Sequence, residues 1–141
     1  MTEFRFFHPI EVRYGDLDPQ GHLNNAKFLT YMEQARVNFV RHLGLWSGGS
    51  FFDFGFILAE VQVTFLSPIH FGHQVQVGVC VTRLGQKSLD MEYQIAESQS
   101  GVLFATGKSV LVAYDYHLGK TIPIPADWRQ AMQEFDNLPG E

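Results

Sequence analysis

Apolar residues recur at steps of three and four along one long stretch of this chain, and at every second position in the stretches that follow. Phe28, Met32, Ala35, Phe39 and Leu43 mark one face of a helix. Asn24 or Asn25 can cap its start and Gly44 is a natural stop. Such a helix has about 20 residues and is roughly 30 Å long. Residues 45–54 form a Gly- and Phe-rich connection. Phe56 to Leu66 then reads as a strand ended by Ser67-Pro68. Val75, Val77, Val79 and Val81 alternate with Gln74, Gln76, Gly78 and Cys80, the signature of a half-buried strand. Leu89, Met91, Tyr93 and Ile95 alternate with Asp90, Glu92 and Gln94 in the same way. Val102 to Tyr114 is a further long strand, and Phe4 to Tyr14 is an N-terminal one. Pro125-Ala126-Asp127 opens a short helix to about Phe135.

Consecutive strands joined by tight turns pair antiparallel. The single long helix must bury its apolar face, and a curved sheet is the only partner large enough. The expected fold class is therefore α+β, an antiparallel sheet of about five strands wrapped around one long central helix. That is the hot-dog arrangement. With 141 residues the chain has the size of one domain, spanning 1–141.

Apolar residues make up 45% of the chain, with 13 Phe, which excludes a disordered chain. Ten basic against 15 acidic residues give a net charge of −5, a poor match to nucleic acid or anionic membrane. A polyanionic ligand would need a local basic patch. One cysteine, Cys80, excludes an internal disulfide, and as part of an alternating strand it reads as a packed thiol. The N-terminal residues lack a signal-peptide pattern and no apolar run is long enough to span a membrane. The expected setting is soluble and cytoplasmic.

Chemistry concentrates between the first strand and the helix, in Tyr14-Gly15-Asp16-Leu17-Asp18-Pro19-Gln20-Gly21-His22-Leu23-Asn24-Asn25. A helix N-terminus presents unpaired N–H groups and a positive dipole end, which suit a developing oxyanion. A carboxylate beside such donors has what acyl hydrolysis requires: one group to attack or to activate water, and donors for the tetrahedral oxyanion. Spacing alone leaves a second reading open, a polar loop in which Asp18 closes a turn before Pro19 and Asn24 caps the helix.

The run from Arg13 to Asn25, followed by Tyr31, Glu33, Ala35 and Arg36, resembles the 4-hydroxybenzoyl-CoA thioesterase family of hot-dog enzymes. The resemblance extends over nearly the whole chain and includes Ile124-Pro125-Ala126-Asp127. It implies an acyl-CoA thioesterase that acts as a homodimer or dimer of dimers, with no cofactor and no metal. It assigns the catalytic carboxylate to Asp18, the oxyanion-binding N–H to Asn25, and a structural role to Asp16. His22 and Asn24 match positions that lie beside the carboxylate in aliphatic acyl thioesterases, where they orient the carboxylate or water. Hydroxybenzoyl enzymes are apolar there, so an aliphatic or mixed acyl group is expected. Lys87 and Lys120 match basic positions that hold the nucleotide end of CoA.

Other features carry less. His70 and His73 stand three apart but without a helix or companion ligands, so a surface loop is expected. Glu33 and Arg36 read as an exposed helical pair. Phe51, Phe52, Phe54 and Phe56 can line an acyl pocket, and Glu60 can point toward it. Two alternatives compete with the thioesterase: a hot-dog enoyl-CoA hydratase, suggested by Asp16-Leu17-Asp18-Pro19-Gln20-Gly21-His22, and a non-catalytic acyl-CoA-binding module.

Overall fold

The computed structural model describes residues 2–139. Strand β1 (Phe6–Glu11) leads into helix α1 (Asn25–His42), then β2 (Phe56–Phe65), β3 (Gln74–Leu84), β4 (Ser88–Glu97), β5 (Leu103–Asp115), a two-residue β6 (Lys120–Thr121) and helix α2 (Ala126–Phe135). The sheet order is β1-β3-β4-β5-β2, all neighbours antiparallel, with β6 pairing β5. This curled sheet around one long helix is the hot-dog fold that the change of period predicts.

Helix α1 has 18 residues, and its ends are set locally. Asn24 Oδ1 accepts the Ala26 N–H at 2.9 Å, and Gly44 takes the left-handed conformation (φ 77°) that ends the helix. Its buried stripe of Phe28, Met32, Ala35, Phe39 and Val40 packs on Val77, Val79, Met91, Tyr93 and Leu111 of the sheet. Gly107 makes room for this packing: a Cβ there would sit 2.6 Å from Met32 Cε. Helix α2 closes the far end, with Trp128 against Phe56 and Phe135 against Phe39.

Strand β3 departs from its sequence pattern. Gly78 and Cys80 are buried along with the valines. The rings of Phe4 and Phe7 lie over Gly78. Beyond the end of β1, Asp136 Oδ2 accepts the Val81 N–H at 2.9 Å. Chain from both termini thus covers the face that alternation leaves to solvent. The Cys80 thiol is accordingly pushed up to about 12 by burial, then by the charges of Asp136 and Glu92. No helix among the described residues is long and apolar enough to cross a membrane.

Candidate active site

The loop from Val12 to Asn24 is pinned at both ends through Asp16. After β1 the chain makes one 3₁₀ turn over Tyr14–Asp16. The Asp16 carboxylate is buried and accepts the Arg13 main-chain N–H (3.1 Å), Arg13 Nη2 (3.1 Å) and the Tyr31 hydroxyl (2.9 Å). The Asp16 carbonyl accepts the Asn24 N–H at 2.9 Å. Burial pushes the Asp16 carboxyl up, but the hydrogen bonds from Arg13 and Tyr31 outweigh it and hold the group below the ordinary carboxylate range. Burial, and after it the same contact, pushes the Tyr31 hydroxyl up.

Two residues on, Asp18 has the opposite surroundings. It is half-buried and closes a tight turn with Gly21 at φ 79°. The Asp18 N–H donates to the His22 carbonyl (2.7 Å), and Asp18 Oδ1 accepts the N–H groups of Gln20 (2.9 Å) and His22 (3.1 Å). Oδ2 accepts no hydrogen bond among the described residues. A bridge between Leu17 and Leu23 brings this turn back to the start of α1. There the Asn25 N–H, first of the helix, donates to nothing among the described residues, as the geometry of a helix start dictates. The arrangement is a fixed carboxylate with one open oxygen, next to a helix terminus with an open donor.

The remaining expected site residues are distributed unevenly. The His22 main-chain N–H donates to Asp18, while its imidazole packs edge-on to His70, ring centres 4.9 Å apart. Asn24 spends its carboxamide oxygen on the helix cap. Lys87 and Lys120 are exposed and lie at the opposite end of the sheet. Glu11 pairs with Gln74, and Val75 with Glu97, so these mark the loop's end. Lys87 precedes Ser88 at the other end of β4, ten residues and roughly 30 Å away along the strand. Glu60 sits on the outer face of β2, paired with Val110, away from the loop.

Two residues escape the sequence reading. His70 lies in the connection after β2, yet it bridges His22, and the Leu23 N–H donates to the Ile69 carbonyl at 2.8 Å. The segment is on the surface as expected, with His70 and Phe71 exposed, and it is also one wall of the site corner. No local signal joins positions so far apart in the chain. Arg36 is the second: it is buried and donates from Nη1 to the Tyr93 hydroxyl at 3.0 Å, so the expected pair with Glu33 forms, Nη2 to Oε2 at 3.9 Å, but with Glu33 alone exposed. A signal existed, since Arg36 stands four residues from both Met32 and Val40 and so shares the apolar stripe. Among the described residues no three His, Cys, Asp or Glu side chains converge to hold a metal ion.

A hot-dog sheet carrying a carboxylate beside a helix start has the layout of a thioester-hydrolysing enzyme. The chain belongs to the thioesterase-like superfamily, whose family profile matches residues 12–132. That match is coarser than the hydroxybenzoyl-CoA branch that the loop resembles, and it favours a hydrolase over the hydratase and the non-catalytic module. A thioesterase from Thermus thermophilus, solved with coenzyme A and zinc, is 35% identical, with a TM-score of 0.84 over 99% of this chain and all of that one. The uncharacterized protein YsmA of Bacillus subtilis is 26% identical over 86% of this chain and 80% of its own length. The long-chain acyl-CoA thioesterase FadM of Escherichia coli is 20% identical over 89% of this chain and 96% of its own length.

Proposed function

We propose that the whole chain acts as one hot-dog domain that hydrolyses the thioester of an acyl-CoA to free acid and CoA, with Asp18 as its catalytic carboxylate. The observation that carries this reading is the Asp18 turn, which anchors Oδ1 on two main-chain donors and leaves Oδ2 open beside the unpaired Asn25 N–H. The thioester carbonyl oxygen accepts from that N–H. Asp18 then either takes a proton from water, which adds to the carbonyl carbon, or adds to the carbon itself to give an anhydride that water cleaves. In both cases the C–S bond breaks and CoA leaves as the thiol. The CoA-bound Thermus relative and the long-chain acyl-CoA relative support the substrate class. The acyl group is aliphatic or mixed, because His22, Asn24 and Asn25 follow the aliphatic form of the loop.

The reading includes a second copy of the chain. Lys87 and Lys120 stand too far along the sheet to meet a CoA whose thioester lies at Asp18 of the same chain, so they serve the site of a partner in a homodimer or dimer of dimers. Among the described residues β2 pairs with β5 alone, and Leu58 and Phe65 along it and the adjoining Leu66 are exposed, as an edge awaiting cover would be. The test is a panel of short, long and aromatic acyl-CoAs assayed for thiol release by the wild type and Asp18→Asn. The substitution is expected to lower kcat by about 10²-fold or more. A folded Asp18→Asn enzyme with near wild-type turnover overturns the assignment, and hydroxybenzoyl-CoA as the best substrate overturns the acyl class.

A further inference from the structure

One peptide group ties the Asp18 turn to chain outside its own loop. The carbonyl of the Ile69–His70 peptide accepts the Leu23 N–H at 2.8 Å. The N–H of the same peptide donates to Nδ1 of His73 at 2.9 Å. Both hydrogen bonds act on one rigid plane, so the ring of His73 sets the direction in which the carbonyl points. Leu23 follows His22, and His22 meets Asp18 twice. Its N–H donates to Asp18 Oδ1 at 3.1 Å, and its carbonyl accepts the Asp18 N–H at 2.7 Å. A line of directed contacts therefore runs from the His73 imidazole, through one peptide plane, to the backbone that holds the carboxylate.

The surroundings of His73 make this line sensitive to a proton. Because a main-chain N–H points at Nδ1, that nitrogen carries no proton, and the neutral ring holds its proton on Nε2. Nε2 stands 3.8 Å from Glu97 Oε2, at the end of β4. From β5 the ring meets the buried Phe104, ring centres 5.0 Å apart. Glu11, at the end of β1, lines the same cleft of about 570 Å³ as His73. The ring of His70 lies 5.6 Å away, with that of His22 beyond it. A second proton on His73 can go only to Nδ1, where it faces the His70 N–H donor to donor. The cation keeps Glu97 as a partner and gives up the peptide.

We propose that His73 is a positioning residue for the reaction: its neutral ring orients the Ile69–His70 peptide and so holds the Asp18 turn, and its protonation lets that turn go. This rests on the reading of Asp18 as the catalytic carboxylate. A carboxylate held less firmly is aimed less often at its target, so the loss falls on kcat more than on KM. Histidine suits the task because it changes charge near neutral pH. Activity is complete while the ring is neutral and declines as the pH falls.

The experiment uses the full chain with dodecanoyl-CoA, follows loss of the thioester absorbance, and reads kcat and KM from about pH 8 to about pH 6. His73→Leu removes the acceptor and is expected to lower kcat at pH 8 by roughly 10- to 100-fold, the scale of a misplaced catalytic group, with a much smaller change in KM. His73→Asn keeps an acceptor, since its carboxamide oxygen falls where Nδ1 stands, but that oxygen does not titrate. It is expected to exceed His73→Leu in kcat by about tenfold at pH 8. The ratio of wild-type to His73→Asn kcat is expected to fall by about threefold or more between pH 8 and pH 6. A constant ratio across that range overturns the inference, and so does a His73→Leu enzyme with wild-type kcat. If His73→Leu does not fold, the pH ratio of His73→Asn decides alone. Asp18→Asn, assayed alongside, separates the two failures. If it is inactive while the His73 ratio stays constant, only this inference falls; if it turns over like the wild type, the Asp18 reading falls first.

Discussion

At its C-terminal end α1 is packed in a cluster of rings around the buried Phe39. Phe39 meets Phe6 and Phe135 at 5.5 and 5.6 Å, and His42 lies against the same two rings at 5.2 and 5.6 Å. At its N-terminal end the neighbours are carboxylates, carboxamides and imidazoles, and Asn24, Asn25 and Ala26 are exposed. One end is secured by area removed from water, the other by directed hydrogen bonds through Asp16. Burial resists change but can do no chemistry. Hydrogen bonds fix a polar loop in place and still leave the Asn25 N–H and Asp18 Oδ2 open. The helix is thus anchored at the end remote from the site, which lets the site end remain unsatisfied.

The largest expected effect breaks the ring-packed end. Phe39→Ala should cost about 3–5 kcal/mol of stability, the range for a fully buried ring. Urea unfolding measures the loss, and kcat per folded molecule should stay near wild type; a collapse of kcat with stability intact would show that the two ends are not separable. Next is Asp16→Asn, which should cost about 1.5–3 kcal/mol at neutral pH, since charge-assisted bonds from Arg13 and Tyr31 are weakened. Its pH dependence has a fixed sign. The folded Asp16 carboxyl lies below its unfolded value, so its contribution is complete above the unfolded value of about 3.9 and is lost as pH falls through the lower folded one. The gap between wild type and Asp16→Asn in thermal unfolding should therefore close in acid, and a gap that widens would contradict the assignment.

Smaller effects sharpen the polar end. Asn24→Ala should cost about 1 kcal/mol as a lost helix cap, while Asn24→Ser keeps it. A rise in KM for Asn24→Ser at unchanged stability would mean that the carboxamide serves substrate as well as the helix. Lys87→Ala should leave stability within about 0.5 kcal/mol of wild type, as for exposed substitutions. It should raise KM for a CoA ester more than for the pantetheine ester of the same acid. An equal rise for both would remove Lys87 from the nucleotide end.

Periodicity alone gave the helix and four of the later strands, because a chain that buries one face repeats its apolar residues at the period of its backbone. The cap at Asn24 and the stop at Gly44 were legible for the same local reason. Strand β6 was not, since two residues carry no period. The outer burial of Gly78 and Cys80 was not legible either, because it is made by Phe4, Phe7 and Asp136, which are distant in sequence. In the site, the carboxylates and the helix start were visible as a string of residue types, but their division of labour was not.

Asp16 and Asp18 are two positions apart and chemically alike, and only tertiary contacts separate them. Tyr31, a turn and a half into α1, reaches back to Asp16, while Asp18 is left to main-chain donors within its own turn. In the same way Arg36, charged and three residues from Glu33, looked like a surface residue until the hydroxyl of Tyr93, 57 positions away, drew it inward. Local sequence determines where a chain turns, caps and alternates, since those choices depend on neighbours along the backbone. Which polar group is satisfied, which is left open and which is carried into the core depends on partners that only folding brings within hydrogen-bond range, and that was decided by the tertiary structure.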